Sequence, residues 1–289
     1  VTTAAQWVAG ARPRTLPAAV APVLVGSAAA AQTGGGHLGR ALLAAGVALA
    51  LQVGVNYAND YSDGVRGTDA DRVGPMRLTA SLTARAQDVR TAAFLAFGVA
   101  GVLGTVLVLL SGDPWLLAVG AVCVAAAWGY TGGRHPYGYR GLGEVAVFVF
   151  FGLVAVLGTT WTQAHALPWP AWVGAVAIGL VACALLMANN LRDIPTDAVT
   201  GKRTLAVRLG DRRARRAYAV LVVLPVLLAA TCALVAPWSL LVLLALGPAV
   251  VLATTVLLGA RGVALVPVLA GTGLLELVLG LLLAVGLVL

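Results

Sequence analysis

The chain has 289 residues, of which 60% are hydrophobic and 10% charged. With Gly counted and Tyr set aside the apolar share is about 70%, against roughly 45–50% apolar and 25% charged residues in soluble domains. The 19 basic and 11 acidic side chains are too few to clothe such a core in water, so a single soluble domain is excluded and lipid must cover the rest.

The net charge of +8 does not point to nucleic acid, because the basic residues fall in short segments between long apolar runs, as in the cytoplasmic loops of membrane proteins. Taking roughly 20 residues per crossing helix, the apolar runs lie at about 16–32, 39–58, 91–110, 114–131, 143–162, 170–190, 217–236, 238–259 and 263–289. The expectation is an all-α integral membrane protein with nine transmembrane helices, residues 1–289 forming one polytopic domain. Every Lys and Arg except Arg40 then falls on one face, which places the N-terminus in the cytoplasm and the C-terminus outside. Trp115, Trp161, Trp169, Trp172 and Trp238 fall near outer span ends and Trp128 near an inner one, as interfacial aromatics do. Cys123, Cys183 and Cys232 lie singly inside apolar runs and read as small hydrophobes rather than a disulfide or zinc framework.

The acidic residues carry the functional signal. Most of those on the cytoplasmic face fall in two segments, Asn56-Tyr57-Ala58-Asn59-Asp60-Tyr61-Ser62-Asp63 continuing to Asp69 and Asp71, and Asn189-Asn190-Leu191-Arg192-Asp193-Ile194-Pro195-Thr196-Asp197. Residues three or four apart share a helix face, so Gln52, Asn56, Asn59, Asp60 and Asp63 form a polar stripe on span 2, and Asn189, Asp193 and Asp197 a matching one on span 6. Pro195 is expected to kink or end the sixth helix near Asp193. The likeness of the two segments hints at a duplicated four-span unit.

Two carboxylates held ~4 Å apart repel by about 4 kcal/mol at an effective dielectric near 20, so clustered acids at a membrane edge call for a cation. Carboxylate and amide oxygens without His or Cys suit Mg²⁺ rather than Zn²⁺, and Mg²⁺ is commonly shared with substrate phosphate oxygens. The expected substrate is a phosphate ester or diphosphate reached from the cytoplasm, with Arg66, Arg134, Arg192, Lys202 and Arg203 taking its remaining charge. His37 and His165 lie on the outer side, His135 reads as a bystander, and Glu276, in the middle of the last span, as a buried packing residue.

At these residues the sequence resembles the UbiA-type intramembrane prenyltransferase superfamily over essentially its whole length. Asn59-Asp60-x-x-Asp63 matches the first aspartate-rich motif of that superfamily and Asp193-x-x-x-Asp197 the second. Arg12-Pro13-Arg14-Thr15-Leu16-Pro17, Gly74-Pro75-Met76-Arg77-Leu78 and Gly138-Tyr139-Arg140-Gly141-Leu142-Gly143-Glu144 resemble the menaquinone-pathway branch, whose members prenylate dihydroxynaphthoate. Two positions depart from the general pattern. The third acid of the first motif is replaced by Gly67, with Asp69 the nearest candidate, and the superfamily's Tyr-x-x-x-Lys is Tyr130-x-x-x-Arg134.

The resemblance implies a UbiA-like helical bundle with cytoplasmic cap loops, here 59–90 and 191–216. It implies Mg²⁺, with Mn²⁺ as a substitute, held by Asp60, Asp63, Asp69, Asp193 and Asp197 with Asn56. Its implied partners are a polyprenyl diphosphate, a dihydroxynaphthoate acceptor and the bilayer, without nucleic acid. Asn59, Asn189 and Arg66 are implied to contact substrate, and Arg134, Lys202 and Arg203 to stabilise the leaving diphosphate. Arg14 or Arg140 would bind the acceptor carboxylate, and Tyr139 would orient or deprotonate a phenol. Two alternatives stay open at this level: another aromatic prenyltransferase of the same superfamily, and a secondary transporter, although transporter ion sites usually lie near the midplane.

Overall fold

A computed structural model of the chain describes residues 2–68 and 76–289; Asp69, Asp71 and the Gly74-Pro75 pair lie outside the described residues. Among the described residues the secondary structure is helical. The helices in chain order are α1 (Ala4–Gly10), α2 (Pro17–Gln32), α3 (Leu38–Arg66), α4 (Ala86–Ser111), α5 (Leu116–Gly129), α6 (Gly143–Ala164), α7 (Trp169–Val199), α8 (Leu205–Leu234), α9 (Pro237–Leu257) and α10 (Gly262–Val288).

Seven of these helices are long and apolar enough to cross a membrane, and the N-terminal pair, bent by 49° ahead of Pro17, makes an eighth if counted as one span. The remaining predicted run is α5, with 14 residues. At 1.5 Å per residue that is about 21 Å, short of a hydrocarbon core of ~30 Å. The bend has local causes: Arg12 sits in the left-handed region at φ 54°, and Pro17 occupies the first turn of α2, where its missing N–H costs nothing.

The second and sixth runs, expected to close at 58 and 190, instead continue as helix to Arg66 and Val199. Hydropathy ends where polar side chains begin, but backbone hydrogen bonding does not. The acidic motifs therefore sit on the last turns of two rigid helices rather than in cap loops. Pro195 does not end α7: it lies exposed inside it, where the ring points away from packed neighbours and only one ladder bond is lost.

The bundle is organised around α7, which is mostly buried and packs against α2, α6, α8 and α10. α3 packs chiefly along α4, and Tyr57, Leu78, Val89 and Phe97 form a smaller apolar cluster there. α1 lies across the end of α3, where the Tyr57 hydroxyl donates to the Trp7 carbonyl at 2.8 Å and Thr2 Oγ1 donates to the Thr83 carbonyl at 2.8 Å. The cap over this end of the bundle is thus α1 with the 76–84 segment.

With no hydrophobic drive between helices in lipid, association rests on close packing, and small residues permit it. In α6 the stretch Phe148–Val154 is π-helical and brings Gly152 against α7. A Cβ there would lie 2.6 Å from the Ala175 carbonyl oxygen and 2.7 Å from the Gly179 Cα, both backbone atoms that cannot swing aside. Gly152→Ala is therefore expected to cost about 1–3 kcal/mol, as overpacked cores do, read as a lower thermal unfolding midpoint in detergent. Gly158→Ala, whose added Cβ meets nothing within 4 Å, should be neutral or stabilising.

Candidate active site

A cavity of about 900 Å³ opens between α3 and α7, with α2, α4, α5 and α6 completing its walls. Along α3 it runs from Ala44 to Asp63, about 29 Å at the rise of an α-helix and close to the thickness of a hydrocarbon core. Its body is apolar, with Val23, Ala48, Leu107, Leu117, Phe150 and Leu186 among the lining side chains. Its polar end is built by two helical stripes: Gln52, Asn56, Asn59 and Asp63 on α3, and Asn189, Asp193 and Asp197 on α7. The spacings of three and four residues put each set on one face, as the sequence predicts.

The acids are buried and engaged. Asp63 Oδ1 accepts a short hydrogen bond from the Tyr139 hydroxyl, and Lys202 Nζ lies 3.5 Å from the same oxygen. Asp193 is held bidentately by its neighbour Arg192, Nε to Oδ1 at 2.7 Å and Nη2 to Oδ2 at 2.8 Å. Arg192 Nη2 also donates to Asn189 Oδ1 at 2.9 Å. The Asp197 carbonyl accepts from the Lys202 backbone N–H at 2.9 Å, which turns Lys202 back toward Asp63. Asn59 Oδ1 accepts from Thr131 Oγ1 at 2.8 Å.

Tyr139 stands in the short turn Tyr137–Arg140 beyond the spans, with Arg66 Cζ 5.6 Å and Lys202 Nζ 4.7 Å from its ring centroid. Burial first, and then the Asp63 carboxylate, raise its phenol pKa well above the ordinary value. At neutral pH the phenol is protonated and donates to Asp63, which fits an orienting role and not that of a base.

Asp60, expected beside Asp63 as a metal ligand, does not line the cavity. It is fully buried, with Oδ2 accepting the Leu78 N–H at 2.8 Å and Oδ1 the Thr79 N–H at 2.9 Å. One residue along a helix is a rotation of about 100°, so Asn59 faces the cavity and Asp60 the 76–84 segment. Asn56 lines the cavity, but its Nδ2 donates to the Ala11 carbonyl and to Thr15 Oγ1, both at 2.9 Å, and its Oδ1 accepts from Gln52 at 3.5 Å. Its amide is committed to the N-terminal segment.

Arg14, Arg66, Arg134, Arg140 and Arg203 are exposed and none lines the cavity. Arg66 donates short hydrogen bonds to the Thr131 and Gly133 carbonyls, and the Arg203 N–H donates to the Tyr139 carbonyl at 2.9 Å, so these two secure the surrounding loops. Among the described residues, the cations that do line the cavity are Arg12, Arg77 and Lys202. Arg12 and Arg77 stand in motifs legible in the sequence, yet nothing there separates them from the other arginines of the same face. Glu276 is fully buried in α10, away from the cavity lining.

No group of three or more Asp, Glu, His or Cys side chains among the described residues converges as a metal cage. The lining donors are carboxylate and amide oxygens from opposite walls, a set that fits Mg²⁺ held by one or two carboxylates together with substrate phosphates.

The sequence profile of the UbiA prenyltransferase family matches residues 19–262. The chain belongs to that family. A 1,4-dihydroxy-2-naphthoate octaprenyltransferase of Mycobacterium tuberculosis is 55% identical over 274 residues, 95% of this chain and 94% of that one. The Escherichia coli protein of the same name is 42% identical over 74% of this chain and 72% of its own length. A solved structure of a UbiA homolog from Archaeoglobus fulgidus bound to GPP and Mg²⁺ superposes with a TM-score of 0.65 over 96% of this chain and 99% of that one, at 12% identity. The UbiA fold thus accounts for the bundle.

Asp60→Asn turns one accepting oxygen into a donor opposite a buried backbone N–H, an exchange expected to cost about 1–3 kcal/mol. The thermal midpoint of the ligand-free protein should fall by the same amount with Mg²⁺ or with EDTA; a loss seen only with Mg²⁺ would return Asp60 to the metal site.

Proposed function

We propose that this UbiA-family protein transfers a polyprenyl group from a polyprenyl diphosphate to 1,4-dihydroxy-2-naphthoate with loss of CO₂, the step that yields demethylmenaquinol, the reduced form of demethylmenaquinone, in menaquinone biosynthesis. The observation that carries the reading is one cavity with two chemistries: an apolar body as deep as a hydrocarbon core, and a polar lining that includes Asp63, Asp193 and Asp197 together with Arg12, Arg77 and Lys202, with Lys202 reaching Asp63 at 3.5 Å. That is the shape of a molecule with a long isoprenoid tail and a diphosphate head. The names of the relatives in Mycobacterium tuberculosis and Escherichia coli supply the acceptor.

The protein works as one polytopic unit in the cytoplasmic membrane of a bacterium. The bent α1–α2 pair and the short α5 complete nine crossings, and the site faces the cytoplasm, on the side where all basic residues but Arg40 lie.

Asp63, Asp193 and Asp197, with the amides of Asn59 and Asn189, are the residues that would hold Mg²⁺, or Mn²⁺ in its place. When bound, the ion neutralises diphosphate charge, and the Archaeoglobus fulgidus homolog bound to GPP and Mg²⁺ supports that pairing. Lys202 and Arg77 would face the oxygens of the leaving diphosphate while the allylic carbon–oxygen bond breaks and its electron pair leaves with diphosphate. Tyr139 holds Asp63 in place through its phenolic proton. The apolar walls exclude water from the allylic cation, leaving the acceptor ring carbon as the nucleophile. The new carbon–carbon bond forms at the ring, and the acceptor's carboxylate departs as CO₂, returning its electron pair to the ring.

The test is a product assay on detergent-purified protein with a polyprenyl diphosphate and either 1,4-dihydroxy-2-naphthoate or 4-hydroxybenzoate. Prenylated naphthol with CO₂ release, abolished by EDTA, is expected from the first acceptor alone, and Asp193→Asn should lower kcat by about 100-fold or more, in line with loss of a transition-state charge contact. Product from 4-hydroxybenzoate alone would move the protein to another branch of the family.

A further inference from the structure

A second cavity, of about 450 Å³, shares no lining residue with the first. It is a cleft between α7, which contributes Cys183 and Met187, and α8, which contributes Ala217, Val220 and Leu221. Cys183 and Met187 are buried whereas Val220 is exposed, so the cleft opens at the surface of α8. On a membrane-spanning helix that surface meets acyl chains.

One cation lines the cleft, Arg216, one helical turn before Val220. Two more extend the same face. Arg212 and Arg213 lie four and three residues before Arg216, and Arg213 lies four before Ala217, so the helix brings all three guanidinium groups to the end of the cleft. All three side chains are exposed, and among the described residues none of them has a hydrogen bond or an ion pair.

Their neighbour Arg215 shows what a structural arginine looks like in this helix. It is buried and holds Asp211 bidentately, Nε and Nη2 each donating at 2.9 Å, while Nη1 donates to the Val256 and Ala260 carbonyls at 2.6 and 2.9 Å. Asp211 also takes Arg261 at 3.5 Å. Glu144, the acid in the cleft lining, accepts from Asn190 Nδ2 at 3.1 Å. Neither carboxylate within reach therefore balances Arg212, Arg213 or Arg216. The rule that gathers basic residues on one side of a membrane sets their sign and number; it does not require three of them unpaired at the end of an apolar cleft.

That combination selects an amphiphile with an anionic head. Guanidinium groups bind phosphate through paired, charge-assisted hydrogen bonds, and basic pockets between membrane helices recognise anionic headgroups. We propose that the cleft between α7 and α8 is a binding site for one anionic phospholipid, an acyl chain lying along Cys183, Met187 and Val220 and the phosphate resting on Arg212, Arg213 and Arg216. The occupant is a lipid of the surrounding bilayer and not the prenyl donor, because the cleft brings no paired carboxylates for a divalent ion and none of its residues lines the larger cavity. The site stands independently of the reaction assigned to that cavity.

The test follows the thermal unfolding midpoint of the delipidated full chain in detergent during titration with dioleoyl phosphatidylglycerol, dioleoyl phosphatidylcholine, dihexanoyl phosphatidylglycerol or inorganic phosphate. A saturable rise is expected with the first alone, as for a ligand that binds the native state, since the second carries its own cation and the last two leave the cleft unfilled. Combining Arg212→Gln, Arg213→Gln and Arg216→Gln should raise the half-saturating concentration of dioleoyl phosphatidylglycerol about tenfold or more. Val220→Trp, which fills the mouth of the cleft with every arginine in place, should do the same and keeps the test open if the triple variant does not accumulate. Stabilisation by farnesyl diphosphate with Mg²⁺ should be equal in the wild type and both variants. Equal stabilisation by the two dioleoyl lipids, an equal response to dihexanoyl phosphatidylglycerol or phosphate, or wild-type affinity in the variants would overturn the site. Loss of the farnesyl diphosphate response in the triple variant would also overturn it, by placing these arginines on the path of the prenyl donor.

Discussion

Four aspartates, Asp60, Asp63, Asp193 and Asp197, are buried at one end of a bundle otherwise made chiefly of Ala, Val, Leu and Gly. An ionised carboxylate away from water is tolerable only when paired or hydrogen-bonded, and the way each is compensated fixes a different part of the architecture. Asp60 ties the 76–84 segment to α3 through two backbone N–H groups. Asp63 draws the Tyr137–Arg140 turn and the Lys202 loop over the cavity. Asp193 carries Arg192 as its own counter-ion. The polar end of the cavity is therefore also the point at which the loops at that end of the bundle are fastened.

The cavity exists because packing is concentrated elsewhere. α7 is gripped on several sides, with Gly152 and Gly179 letting the α6 backbone close against it, while α3 leans on α4. α3 and α7 are left as facing walls, and the side chains between them are too small or too few to fill the gap. The π-helical stretch in α6 contributes to both roles: Gly152 meets α7, and Phe150 and Phe151 line the cavity.

Much of the fold is legible in the sequence because lipid imposes a coarse rule: each crossing needs a long apolar run, and loop charge reports sidedness. The fifth run, 143–162, matches the helix Gly143–Ala164 closely. The limits of the second and sixth runs fall short for the converse reason, since polar residues end a hydropathy run but not a helix. The two stripes are legible from their spacing of three and four residues. The membership of Asp60 is not, because a motif is read along the chain whereas adjacent helical residues point in different directions. Arg12 and Arg77 are hidden among equivalent arginines, while Arg14 and Arg140, which the motifs favour for the acceptor, are side chains that the fold leaves exposed.

The sequence by itself determined the solvent, most of the helices, the two polar stripes, and the hard-oxygen chemistry their acids suit, because composition and helical period act locally and need no knowledge of neighbours. Only the tertiary structure decided which acid faces the cavity and which fastens a loop, and which cations enter it. Those distinctions depend on what lies opposite each side chain across the gap between α2, α3 and α7, and that is set by long-range packing rather than by position along the chain.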